Sequence, residues 1–285
     1  MKNIALFISI GLSLMLCSCA QSQQKQYKSP KGYNLKEGTK YKMPEDLLEI
    51  SGHTFKDGDG RTLYAIQDED GKLYYGKLTE DMKVSHTKFG KHGDYEDVAI
   101  NGDQVIVLKS NGKLYMFPIS EIGEQELSNV KELVNILPPG EYESMYADAA
   151  AHKLYVLCKN CADEKTTKSS TGYVFNIQPN DSLQMAGNFK IEVKQITKLL
   201  GDDKIKFRPS AMAKNPITNE WFIVSAVNGL LVVADEKWQV KEVYPLNHKT
   251  FLQPEGIAFD KKGNLYISSE GDEFSKGSVM KFTRF

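Results

Sequence analysis

A short phrase recurs five times along this 285-residue chain, and its spacing narrows the folds open to it. The copies read LEISG at 48–52, YEDVAI at 95–100, YESMYAD at 142–148, PSAMAKN at 209–215 and PEGIAFD at 254–260. Four carry Glu at the second position (Glu49, Glu96, Glu143 and Glu255), and the other carries Ser210. Successive copies lie 47, 47, 67 and 45 residues apart. A period of about 40–50 residues is that of a four-stranded propeller blade.

The rest of each unit repeats too. A second apolar run follows the phrase: TLYAI from Thr62, QVIVL from Gln104, KLYVL from Lys153, EWFIVS from Glu220 and NLYIS from Asn264. A third follows a glycine, as in GKLYYGKL from Gly71 and GLLVVAD from Gly229. Asp70-Gly71, Asn111-Gly112 and Asn228-Gly229 supply hairpin turns between runs. A more polar fourth run ends most units. The expectation is an all-β, five-bladed propeller over residues 33–285. The alternative of six blades needs about 40 residues more in the long interval, whose surplus is about 20. The last unit ends after three strands, and Tyr33–Met43 stands before the first. That segment is expected to supply the missing outer strand and close the ring, which removes an open sheet edge.

The order E-x-[IV]-x, then LY-[AV]-[IL], then PEGIAFD with GNLYISSE resembles the SdiA-regulated family of secreted and membrane-anchored propellers. The resemblance covers about Leu47 to Phe285 and implies a propeller in the bacterial envelope, without specifying a reaction. A weaker similarity runs to regucalcin, gluconolactonase and NHL-type propellers.

The first residues read as targeting rather than fold. Lys2 precedes an apolar run from Ile4 to Leu16, too short to span a bilayer. Leu16-Cys17-Ser18-Cys19 resembles a lipobox, which implies a signal peptide at 1–18 and a lipid anchor on Cys19. Residues 19–32 are polar and read as a tether. The expected location is the cell envelope, with the membrane as one partner. Net charge is −1, which gives no nucleic-acid footprint.

Equivalent positions at the start of each blade converge on the propeller axis. Glu49, Glu96, Glu143 and Glu255, with Ser210, are therefore expected to form a ring. Asp68, Lys109, Lys159 and Glu270 follow the second runs and belong to the same mouth. Clustered carboxylates raise one another's pKa, and shared protons, basic neighbours or a cation relieve them. Calcium, a hard cation taking six to eight oxygens, suits the four glutamates as metal ligands. The competing expectation is that these glutamates only bond backbone amides of the next blade. Cys158 and Cys161 are expected to form a local disulfide rather than half a zinc site, because no second ligand pair exists. The five histidines are dispersed without ligand spacing and read as exposed. No nucleophile elbow or P-loop appears. The leading function is a membrane-anchored protein that binds a ligand or partner at its central channel. The alternative is a metal-assisted or carboxylate-based hydrolase acting on lactones, phosphoesters or glycosides.

Overall fold

The computed structural model describes residues 27–162, 165 and 168–285. The expected signal peptide, the expected anchor Cys19 and most of the expected tether lie outside the described residues. Blade one is built from β2 (Ile50–Phe55), β3 (Thr62–Gln67), β4 (Lys72–Lys77) and β5 (Ser85–Lys88). Blade two follows with β6 (Tyr95–Asn101), β7 (Gln104–Lys109), β8 (Leu114–Pro118) and β9 (Lys131–Leu133). Blade three holds β10 (Gly140–Asp148), β11 (Lys153–Cys161), β12 (Ser169–Ile177) and β13 (Leu183–Glu192). Blade four holds β14 (Ala211–Lys214), β15 (Trp221–Ser225), β16 (Leu230–Ala234) and β17 (Val240–Pro245). Blade five is β18 (Pro254–Phe259), β19 (Leu265–Ser269) and β20 (Ser278–Phe282), completed by β1 (Thr39–Lys42).

Every sheet is antiparallel; the first four are meanders with their first strand innermost, and in blade five β18 is innermost and β1 outermost. The five innermost strands neighbour one another in a closed cycle. Closure works as the unpaired third strand of the last unit requires. β1 pairs with β20, with Thr39 opposite Lys281 and Lys42 opposite Ser278. Just before it, the Tyr33 hydroxyl donates to Gly263 O at 2.6 Å and accepts from Asn215 Nδ2 at 2.9 Å. The N-terminal segment is thereby fixed to blades four and five. Sharp turns sit where the dipeptides place them. Gly112 and Gly229 adopt left-handed backbone, which a side chain would strain.

The core consists of five apolar interfaces, one between each pair of blades. Ala99 and Ile106 of blade two meet Met145 and Val156 of blade three. Leu157 of blade three meets Met212 and Ile223 of blade four. Outward from that interface, Trp238 stacks between Phe189 (3.5 Å) and Trp221 (4.2 Å between ring centroids). The long interval contains α1 (Val193–Leu200), which buries Val193 and Ile196 and ends at left-handed Gly201, a common helix stop. It is an insertion between blades three and four, not a sixth blade.

Candidate functional site

Strand pairing assigns the true equivalences at the mouth where the innermost strands begin. In blade two Tyr95 faces Lys109 and Asp97 faces Leu108, so Glu96 is an extra residue in a β-bulge. Glu143 occupies the same bulge between Tyr142 and Ser144, and Glu255 between Pro254 and Gly256. A bulge bends the strand and re-aims its extra side chain, here at the mouth of each of three blades. In blade one Ile50 faces Gln67 and His53 faces Ala65. The residue matching Glu96 is therefore Ser51. The ring is Ser51, Glu96, Glu143, Ser210 and Glu255: three glutamates and two serines.

The expected fourth glutamate, Glu49, is corrected by this register. It stands two residues earlier, is exposed, and shares its position with Asp94, Glu141 and Gln253. These form an outer rim that the repeated phrase did not reveal. Bulging leaves residues two apart on the same side of the mouth, so a carboxylate at ring-minus-two is the signal that would have found it.

A cavity of about 270 Å³ lies inside ring and rim. Asp68, Asp94, Glu96, Glu141, Glu143, Glu255 and Glu270 line it, and among the described residues Lys159 is the only base to do so. Asp68, Lys159 and Glu270 reach it from the ends of second strands, as expected. Lys109 does not. Its ammonium lies 5.4 Å from the centroid of the Tyr95 ring. That cation–π contact turns it out of the mouth.

Lys159 is an internal cation in an acid pocket. Its ammonium bonds Glu143 Oε1 and stands 3.7 Å from Glu141. Cys158 and Cys161 are joined in a disulfide that brackets Lys159 and restrains the strand end carrying it. Glu143 is 6% exposed, and its second oxygen is buried without a partner. Asp68 Oδ1 is buried without a partner as well.

One lysine does not balance the pocket. Burial pushes the Glu96 carboxyl up to about 8; Asp94 and Glu255 reinforce the rise and Lys159 opposes it. Burial lifts Glu270 to about 8, with Glu255, Asp68 and Glu49 adding repulsion. Asp68 rises to about 6 through burial and the neighbouring Glu49 and Glu69. Glu255 is raised by burial, and bonding from Ser210 and the charge of Lys159 oppose that rise. Glu96 and Glu270 are thus largely protonated at pH 7. The oxygens are hard donors of the kind calcium takes. Among the described residues, however, no three His, Cys, Asp or Glu side chains stand together as metal ligands. The expected set of Glu49, Glu96, Glu143 and Glu255 is not assembled around one point, because Glu49 is outside the cavity and Lys159 holds Glu143.

Below the ring the channel narrows. His53, expected to be exposed, is 2% exposed, and burial drops its imidazole to about 3. Its burial comes from a close approach to Gly256 and a bond to Ser268 in blade five.

Residues 34–276 match the family model described as SdiA-regulated. No curated protein matches the chain in sequence. Among solved structures, glutaminyl cyclase from Myxococcus xanthus aligns with a TM-score of 0.56 at 12% identity, over 87% of this chain and 95% of that one. A luciferin-regenerating enzyme aligns at 0.55 and 10% identity over the same shares. A calcium-binding protein, regucalcin, from Agrobacterium tumefaciens aligns at 0.50 and 11% identity, over 89% and 95%. At these identities the likeness is one of fold.

Proposed function

The chain belongs to the SdiA-regulated family, and from that premise we propose that it is an envelope-tethered propeller that captures a cationic ligand in its acid-lined mouth. The pattern ending in Cys19 supports the tether, through a lipid on that cysteine and the polar stretch at 19–32. The observation that carries the ligand reading is Glu143: one oxygen on Lys159, the other buried and unpartnered among further carboxyls. A buried polar atom without a partner is costly, and a ligand that supplies the missing donor recovers that cost.

The pocket favours an organic ammonium over a bare metal ion. Lys159 already demonstrates how an amine sits against Glu143 and Glu141. A ligand amine would donate to Glu143 Oε2 and draw charge onto Glu96, Glu255 and Glu270. Because an added positive charge favours ionised carboxyls, binding near pH 7 would release protons from Glu96 and Glu270. Calcium is the second cation of this reading. Its donors would be the ring glutamates and Ser51 or Ser210, and the carboxylates would have to move together to hold it.

The hydrolase reading has one observation in its favour. Glu96 keeps its proton to about pH 8. A carboxyl so held, beside other carboxylates, has the form of a general acid. Turnover of a lactone, phosphoester or glycoside, abolished in Glu96→Gln, would favour it over simple capture.

Thermal melting of the mature protein with spermidine and with CaCl2 tests the proposal. The expected result is a concentration-dependent rise in Tm with spermidine at pH 7 that Glu143→Gln abolishes. A rise with calcium alone would reassign the ligand to a metal ion. No shift with either, or an equal shift in Glu143→Gln, would overturn the reading.

A further inference from the structure

The channel has a second compartment at its opposite end, separate from the acid mouth. Directly below the ring, successive blades place Gly52, Asp97, Ser144, Ala211 and Gly256 at one level. Asp97 crosses this level. Its Oδ2 accepts the Met145 amide of blade three at 2.7 Å, and its Oδ1 accepts the Val98 amide at 2.8 Å. On its other side lies Gly52 of blade one, where an added Cβ would fall 2.6 Å from Asp97 Cα. One carboxyl thus bonds blade two to blade three and lies hard against blade one.

Beneath Asp97 a cavity of about 370 Å³ opens toward the turns between first and second strands. That volume lies within the range of small-molecule sites, which are mostly apolar with a few placed polar groups. Met145, Met212, Ile257 and Ala213 supply apolar wall, and Phe55 and Phe259 stand nearer its opening. The polar groups at the closed end are Asp97 and His53.

The state of His53 follows from its neighbours. The Ser268 hydroxyl has one hydrogen and donates it to Ser51 O at 3.2 Å. With that hydrogen on Ser51 O, His53 Nδ1, 3.1 Å from Ser268 Oγ, carries the ring proton and donates it. Nε2 is then a bare lone pair, buried and without a partner. Nδ1 is held in the wall by blade five, so Nε2 is the ring's free acceptor. Burial keeps the imidazole neutral at pH 7 and holds the Asp97 carboxyl well above the usual carboxylate range. At the closed end both Asp97 oxygens already accept backbone amides, so His53 Nε2 is the group left for a ligand.

We infer that this lower compartment is a second ligand site, for a small neutral molecule with an apolar body and one hydroxyl or N–H group that donates to His53 Nε2. A charged ligand would lose its hydration there, where the acceptor on offer is a neutral imidazole. The site shares no lining residue with the acid mouth, so its occupancy does not depend on the cation reading.

Phenol, a neutral aromatic alcohol, is a suitable probe, with anisole as the control that lacks the donor. Titrations followed by the 15N resonances of the His53 ring should show phenol moving Nε2. Phenol should bind at least tenfold more tightly than anisole. His53→Phe should erase that preference. Ala149→Trp, at an exposed turn position lining the opening, should weaken both probes without touching His53. Equal binding of phenol and anisole, unmoved His53 nitrogens, or binding indifferent to Ala149→Trp would each overturn the inference.

Discussion

Replacing Glu96 with Gln should stabilise the protein at alkaline pH and leave it unchanged in acid. The unfolded carboxyl ionises above pH 4.5, whereas the folded one keeps its proton to about 8. Between those values folding takes up a proton. The stability this group contributes is complete below pH 4.5, declines as pH rises, and is gone above about 8. The rise from 4.5 to about 8 corresponds to a ceiling of about 5 kcal/mol, at ~1.36 kcal/mol per tenfold change in proton affinity. Glu96, Glu255 and Glu270 titrate as a set, so one substitution recovers a part of it, about 2 kcal/mol. For a domain this large that is roughly 4–8 °C in Tm. Glutamine has the shape of the protonated acid and preserves its donor toward Asp94. Melting curves at pH 5 and pH 8.5 provide the assay. The wild type should lose stability between them, and Glu96→Gln should lose less. A variant destabilised equally at both pH values would mean that Glu96 is an ionised, satisfied structural partner, and would refute the reasoning.

Three further outcomes follow from the same geometry. Lys159→Met should cost about 3–5 kcal/mol at pH 7, because it strands Glu143 as a buried charge, and should steepen the pH dependence of Tm; chemical denaturation at pH 5 and pH 8 checks both. Gly52→Ala should cost about 1–3 kcal/mol or more, since the new methyl meets Asp97 and Val98 backbone that cannot withdraw, and its loss should show in the urea midpoint. Removing residues 33–42 should broaden or split the unfolding transition by exposing the edge of β20, whereas Tyr33→Phe should cost only about 1–2 kcal/mol.

The fold was legible because a propeller repeats its instructions. Strand runs, turn dipeptides and the truncated last unit specified five blades and their closure by the N-terminal strand. The ring was legible only where the phrase was clean. LEISG tempts a match on its glutamate, but Ser51-Gly52 is what matches Glu255-Gly256; a one-letter identity outweighed the position of the small residue that the crowded axis demands. The outer rim stayed hidden because Asp94, Glu141 and Gln253 share a place without sharing an identity. Lys109 and Lys159 occupy similar strand ends, yet one turns to Tyr95 and the other into the acids. That choice depends on the local ring partner, which spacing does not encode. The burial of His53 is hidden from the sequence for a related reason. What buries it is Gly256 and Ser268, near the far end of the chain, in the blade that closes the circle.

The central claim is that a partly protonated acid cluster awaits a cation. Isothermal titration of spermidine into the mature protein at pH 7, repeated in buffers of different ionisation enthalpy, measures the protons exchanged on binding. Net release, growing smaller as the pH is raised past 8 and lost in Glu143→Gln, is the predicted result. Heats that are the same in every buffer, or uptake of protons in place of release, would contradict it.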